Sequence, residues 1–417
     1  MTNGTFPDRA LQDRASRAIA ECRRIALMSE EPGRATRRFL SPPMRDVHAL
    51  LRSRIEALGM TVRVDAAGNM RGLWQPANSR GKRLLIGSHI DTVPNAGAFD
   101  GVLGVALALE WVEIAQELTF PFDMEIIAFS EEEGVRFGVP FIGSRAVAGR
   151  FDPALMTVKD ADSITLEDAI RAFGLDPTQI GDAALDLSVI GYVEPHIEQG
   201  PVLEAEGLSV AAVTAIVGQT RVSLTFTGHA NHAGTTPMHL RHDALTGAAE
   251  WIASVESLAR RTDGLVATVG KIENEPNASN VVPGSVRLSL DVRHAQDSER
   301  KAAVAALVEQ AEAIAARRGL TLESKSISDQ PAAPMDERLT AFLAEAIEAA
   351  GYPQKRMTSG AGHDAMVLAA RVPTAMLFVR SPGGISHHPD ETVLEEDVEA
   401  SLRVARKFLE RLAAEFR

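Results

Sequence analysis

Residues 84–115 read LLIGSHIDTVPNAGAFDGVLGVALALEWVEIA, and the change of texture along this stretch decides the fold. Leu84-Leu85-Ile86-Gly87 is an apolar run of strand length without polar alternation, which suits a strand covered on both faces. Residues 102–115 have the length and composition of a helix, and Glu125-Ile126-Ile127-Ala128-Phe129 supplies the next buried strand. Strand, helix and strand in this order predict an α/β fold, a mainly parallel sheet flanked by helices. Ligands of such sheets gather at the carboxyl ends of the strands. His89, Asp91 and Asp100 follow the first strand at such an end.

Further along, the texture changes after about Gly207. Strands are expected over 210–217, 221–227, 265–272, 285–292 and 320–326, and helices over 243–258 and 298–317. Their order is that of a ferredoxin-like α+β layer, a unit of two helices and four strands, with one strand to spare among the five. From Pro331 on, helix and strand alternate again, with a buried strand at 374–379 and a closing helix at 396–414. The expected organisation is therefore a catalytic domain in two parts, 1–208 and 330–417, with a smaller domain inserted over 209–329. The joints fall near Leu208 and Gln330, and no internal repeat or long low-complexity tract interrupts the chain.

Composition narrows the partners. With 417 residues, 45% of them hydrophobic, the chain can bury the cores of two domains. Its 43 basic and 56 acidic side chains give −13 at neutral pH, which repels phosphate backbones and anionic lipids, so neither nucleic acid nor membrane is an expected partner. Cys22 is the only cysteine and cannot form an internal disulfide, which favours the cytoplasm. Residues 1–14 lack the apolar stretch and small residues of a signal peptide, and the run 102–109 is too short to span a bilayer. A soluble intracellular protein is expected.

The chemistry sits in a few polar segments. His89 and Asp100 lie on neighbouring loops and can converge on one cation, and a carboxylate can bridge two. As a pair they also fit ordinary turn and cap residues. Glu131-Glu132-Glu133 place three acids at the end of a buried strand, a costly arrangement unless a cation neutralises them or solvent covers them. One acid could hold a metal while another takes a proton from water; a solvated acidic turn would carry the same letters. EPHIEQG at 194–200 adds His196, and SHHPD at 386–390 adds His387 and His388. Singly, each histidine is unremarkable. Together, each stands where the expected topology brings strand ends together, which points to a metal centre.

The segments GSHIDTVPNAGAFDG, AFSEEEGVRF, EPHIEQGPVLE, NHAGTTPM, NVVPG, SGAGHDAM and GISHHPDE resemble the amidase branch of the M20 metallopeptidase family. That branch includes allantoate amidohydrolases, N-carbamoyl-L-amino-acid hydrolases and metal-type β-ureidopropionases, and the likeness runs from about residue 37 to 400. It implies His89, Asp100 and His196 around one divalent ion and Asp100, Glu133 and His387 around another, with Asp100 bridging. Glu132 corresponds to the catalytic base and Glu131 is left as a neighbour. Peptidases of the wider family mostly carry a carboxylate at the place of His196, which favours an amidase. His388 stands where many relatives carry asparagine, so register alone separates it from His387.

The resemblance also implies substrate contacts: His232 to the developing oxyanion, Asn280 and Arg293 to a carboxylate, and Gln199 to a ureido group. Read locally, His232 equally suits a turn cap over Thr235 and Thr236, and Arg293 an ion pair with Asp291. His363 and Asp364 either line a pocket or begin the following helix. The expected mechanism has Glu132 take a proton from a water acidified by the metals and pass it to the leaving nitrogen. Zinc or manganese suits the donor set, and cobalt or nickel also fits. The resemblance further implies a homodimer, with the inserted domain serving as a lid and dimerisation element that closes over the site.

RRFLSPPMRDVH, IAFSEEEGVRF and IVGQTRVSLTFTG look nearest to allantoate amidohydrolases, with an N-carbamoyl-L-amino-acid hydrolase or β-ureidopropionase as the second reading. A non-catalytic binding relative would have lost a ligand or the base, yet all are present.

Overall fold

A computed structural model of the chain describes residues 8–415. The part of 1–14 that precedes Asp8 lies outside the described residues. The chain divides into two compact units, one of 1–214 with 335–417 and the other of 215–334. These joints fall a few residues beyond Leu208 and Gln330.

In the larger unit the spatial order of the main strands is Thr61–Val64, Met70–Trp74, Asp123–Phe129, Arg83–His89, Val189–Ile197, Thr374–Val379 and Val210–Ile216. The middle four run parallel, from Asp123–Phe129 across to Thr374–Val379. The strands outside them are antiparallel to their neighbours. Leu84, Leu85, Ile86, Ile126 and Ile127 are all buried, as the unalternating apolar runs require. Helix Val102–Gln116 connects Arg83–His89 to its parallel neighbour Asp123–Phe129.

Helices Asp8–Ala26, Val102–Gln116, Glu337–Ala349 and Glu395–Glu415 share one hydrophobic core with this sheet. Glu110 of the second helix is buried in that layer and would be costly alone. Arg17 donates to it through Nε at 2.8 Å, with Arg14 and Arg54 at 3.8 and 3.7 Å.

One strand departs from the expectation. Residues 210–217 were expected to open the inserted layer, but Val210–Ile216 lies in the large sheet, antiparallel to Thr374–Val379. Its sequence, VAAVTAI, is apolar but for Thr214, and every other residue is buried. That is the texture of a strand with two covered faces, unlike the neighbouring GQTRVSLTFT of Gly218–Thr227, which alternates.

The smaller unit holds an antiparallel sheet of four strands in the order Thr321–Gln330, Gly218–Thr227, Ser285–His294, Val266–Glu275. Helices Ala244–Arg261 and Asp297–Arg317 complete the strand-helix-strand-strand-helix-strand order of a ferredoxin-like layer. Val222, Leu224 and Phe226 on one strand, and Val286, Leu288 and Leu290 on the next, share a core with Trp251 and Leu307 from the helices. Among the described residues no helix is long and apolar enough to cross a membrane.

Candidate metal centre

The four central strands are parallel, so their carboxyl ends lie along one edge of the sheet. Register places His89 beside Phe129 and His196 beside Phe378, so the loops after all four strands start at a common level. His89, Asp100, Glu132, Glu133, His196 and His387 all come from this edge.

There the side chains form two triads that share Asp100. His89, Asp100 and His196 make one, and Asp100, Glu133 and His387 the other, the ligand atoms within each lying no more than 4.8 Å apart. Asp100 divides its oxygens between them. Its Oδ1 lies 3.6 Å from His89 Nε2 and 3.3 Å from His196 Nε2, while Oδ2 lies 3.1 Å from His387 Nε2. His387 Nε2 is also 3.6 Å from Glu133 Oε1. His89, Glu132 and Glu133 form a further close group.

The orientation of the imidazoles is set from behind. Nδ1 of His89 faces the Asp91 carbonyl at 3.1 Å, and Nδ1 of His196 faces the Ile197 carbonyl at 2.9 Å. With each Nδ1–H given to a carbonyl, Nε2 is the atom turned toward the centre, the usual outer support of a metal-binding histidine. The two Nε2 atoms stand 3.5 Å apart. Buried Asp100 Oδ1 accepts no hydrogen bond. Nitrogen and oxygen acceptors converging around an orphaned buried carboxylate oxygen fit a divalent cation of the zinc or manganese kind.

Electrostatics agrees with the geometry. Burial would lower His89, but Asp100 and Asp91 outweigh it and hold the imidazole well above its ordinary value. The hydrogen bond to Asp100, opposed by burial and helped by Glu133, raises His387 to about 9. These protons occupy places that favour positive charge, and a bound cation would displace them. Burial drives His196 down to about 4. Burial, with Asp100 and Asp91 adding and the histidines opposing, pushes Glu133 up to about 7. Burial also holds Glu132 well above the carboxylate range, with Glu133, Asp364 and Asp91 adding to it and His89 opposing.

Asp91, which the sequence reading gave no role, clamps the acidic turn. Its Oδ1 accepts the Glu132 N–H at 3.0 Å and its Oδ2 the Glu133 N–H at 3.1 Å. Gly101 is required where Asp100 enters its helix: φ is +65°, and a Cβ there would lie 2.4 Å from the His89 ring.

The neighbouring histidines separate clearly. His387 belongs to the second triad, with φ +55° turning it inward, while exposed His388 accepts the Asp390 N–H and joins neither triad. His363 is buried against His196, ring centres 4.3 Å apart, with Nε2 2.9 Å from Ser359 Oγ. Asp364 begins a short helix, Asp364–Leu368, and is itself buried. Gln199 directs Nε2 to Asp100 Oδ2 at 3.1 Å and to Ser386 Oγ at 3.0 Å, while its Oε1 is buried without a partner.

In the smaller unit, His232 and Asn280 are brought together. His232 pairs with Val281 in a short antiparallel ladder, and the Asn280 carbonyl accepts the Ala233 N–H. Nδ1 of His232 accepts the N–H groups of Gly234 and Thr235, each at 3.1 Å. This turn cap leaves the ring proton on Nε2, so the same histidine can be a cap and an exposed donor. Arg293 donates through Nε to Asp291 Oδ1 at 2.9 Å and through Nη2 to Oδ2 at 3.1 Å. Arg221 and Gln219 also donate to Asp291. Burial would raise the Asp291 carboxyl, but Arg293 and Arg221 hold it below its usual range.

Comparison with known proteins gives the family of the chain. The sequence pattern of peptidase family M20/M25/M40 matches residues 85–411. The chain is 38% identical to a protein named allantoate deiminase from Arabidopsis thaliana, over 98% of this chain and 84% of that one. It is 39% identical to an N-carbamoyl-L-amino acid amidohydrolase from Geobacillus stearothermophilus, over 88% of this chain and 90% of the relative. A crystal structure of a hydantoinase/carbamoylase family amidase from Burkholderia multivorans superposes with a TM-score of 0.89 at 33% identity, covering 95% of this chain and 97% of that one. The chain therefore belongs to peptidase family M20/M25/M40, among its metal-dependent amidohydrolases.

Proposed function

We propose that this hydrolase of non-peptide C–N bonds holds two divalent cations and cleaves the ureido group of a small carboxylate-bearing acid, with allantoate as the first substrate. The observation that carries the reading is the division of Asp100, one oxygen to each triad. His89 and His196 would hold one ion with Asp100, and Glu133 and His387 the other. Zinc or manganese is the first choice, and cobalt or nickel also suits these donors. When bound, such a pair would polarise the ureido carbonyl and would lower the pKa of a bound water to roughly 7.

The residues supply the rest. Glu132, held beside the cluster by Asp91, takes the proton of the attacking water and returns it to the leaving nitrogen. His232 offers its Nε2–H to the oxyanion, and Arg293 and Asn280 grip the substrate carboxylate, with a guanidinium suited to a bidentate hold. Gln199 has an unpaired buried Oε1 that can accept a ureido N–H. Hydrolysis of N-carbamoyl-L-amino acids is the second reading, supported by the relative of that name.

We also infer a homodimer, for which the exposed edge strand Val266–Glu275, with Val266 and Ile272 open to solvent, offers a pairing surface. Its test is a solution mass of two chains. The cytoplasm is the compartment we assign, on the buried free thiol of Cys22.

Ammonia release from allantoate and N-carbamoyl amino acids, and free amino acid release from dipeptides, each with zinc, manganese or cobalt added, test the reading. Activity confined to dipeptides would overturn it. Glu132→Gln should lower turnover by about 10²- to 10⁴-fold while the metal content stays. Retained turnover would remove Glu132 from the role of base.

A further inference from the structure

His387 has the weakest support of any ligand candidate. It is half-exposed, and it sits in the loop between strand Thr374–Val379 and helix Glu395–Glu415, where only one short turn, Pro382–Gly384, is regular. Asp100 likewise sits on a loop, just ahead of Val102–Gln116. Something must hold two loops, far apart in sequence, at one separation if their side chains are to share an ion.

Glu391 spans them. Its Oε1 accepts the N–H groups of Phe99 at 2.9 Å and of Asp100 at 3.0 Å. Its Oε2 accepts Ser386 Oγ at 3.2 Å, one residue before His387. Ser386 Oγ also lies 3.0 Å from Gln199 Nε2 and 3.5 Å from Asp100 Oδ2, which closes a ring of polar contacts behind the shared carboxylate. Glu391 is buried, and Gly97 leaves it room: a Cβ at 97 would lie 2.4 Å from Glu391 Cβ and 2.5 Å from Oε1. The Glu391 N–H is given to the His388 carbonyl, so the carboxylate and the loop that carries His387 move as one piece.

We propose that Glu391 is a positioning residue that ties the Asp100 loop to the His387 loop and so fixes the second ligand triad, whereas the first shares only Asp100 with those loops and keeps its other two ligands on sheet strands. His89 is the last residue of strand Arg83–His89 and His196 the penultimate residue of Val189–Ile197, and neither depends on this tie. The inference rests on the two-cation reading of the site. Outer-shell partners of metal ligands typically change affinity by about 10- to 100-fold when removed. Here the loss falls on one ion of the two.

The test is direct metal binding. Metal-free protein is titrated with zinc and separately with manganese, and the bound ions per chain are counted after dialysis against graded chelator. The proteins are the wild type, Glu391→Ala, Glu391→Gln and Ser386→Ala. The expected result for Glu391→Ala is one ion held within about threefold of the wild-type affinity and a second weakened at least about tenfold. Glu391→Gln should recover most of the second ion, because an amide oxygen still accepts the two N–H groups and its NH₂ can donate to Ser386.

Two ions bound as in the wild type, or equal weakening of both in a folded Glu391→Ala protein, overturns the proposal. If Glu391→Ala does not fold, Ser386→Ala decides: a selectively weakened second ion supports the tie and unchanged binding refutes it. A wild type that takes up only one ion would instead defeat the two-cation reading, and this inference with it.

Discussion

Gly101→Ala is the substitution whose effect follows most directly from the structure. Gly101 has φ +65° and ψ −48°, and the Val102 N–H reaches back to the Asp100 carbonyl at 2.7 Å across a three-residue turn. An L-residue forced into this conformation costs about 1–3 kcal/mol. The added Cβ meets a second obstacle, since it would lie 2.4 Å from Cδ2 and Nε2 of His89 and 2.5 Å from Cε1. Ordinary contact begins at 3.4 Å, so the ring must retreat by about 1 Å. A metal–nitrogen bond tolerates only about 0.2 Å of error, and the ring is already pinned through Nδ1.

The first triad should therefore lose an ion by at least about 100-fold in affinity, with a melting point several degrees lower. Gly174→Ala separates the two effects: its φ is +91°, but nothing lies within 4 Å of the new Cβ, so it should cost stability and spare the metal. Metal content by mass spectrometry after chelator dialysis, together with thermal melts, reads both proteins. If Gly101→Ala keeps wild-type metal affinity, the packing of His89 against this turn is not what sets the site.

Two other outcomes are expected. Asp291 fixes the Arg293 guanidinium through two hydrogen bonds, so Asp291→Asn should raise KM for a carboxylate-bearing substrate by about tenfold with little change in kcat, and an unaltered KM would mean that Arg293 does not need this support. His48 is buried edge-on against Phe173, and burial, with Arg52 and Arg45 adding, pushes it down to about 4. Between pH of about 6.5 and 4 the unfolded chain takes up a proton that folded His48 refuses, so stability falls as pH falls through that window, by up to about 3 kcal/mol. His48→Leu should flatten the pH dependence of the melting temperature there; an unchanged slope would assign it to other groups.

The sequence was most readable where one texture had one cause. The runs around Leu84–Gly87 and Ile126–Ala128 are apolar because both faces of the sheet are covered, and they fall in strands Arg83–His89 and Asp123–Phe129. The strand Val210–Ile216 carries the same signal, since VAAVTAI lacks the alternation of the layer that follows it, although it stands next to that layer in chain order. Helices Asp8–Ala26 and Pro42–Ala57 were not read at all.

At the candidate metal centre, no single imidazole or carboxylate pointed to a ligand; the set did, because each stood where the expected topology brings strand ends together. The residues that hold those ligands were invisible for a physical reason. Asp91 and Glu391 act by accepting backbone N–H groups, a service that any acid in any loop could perform and that leaves no period or spacing behind. His387 and His388 are adjacent; in the sequence only the register of the resemblance separates them, and in the structure the left-handed backbone at His387 and its place in the second triad do.

The grip of Asp91 on the acidic turn has a consequence for repeated turnover. It grasps the main chain of Glu132 and Glu133, not their carboxyl groups, so gain or loss of a proton at either tip does not loosen the hold. The proposed base, anchored by its own amide, would load and unload a proton in every cycle with its lever arm unchanged, and the surrounding dipoles would need little rearrangement between strokes.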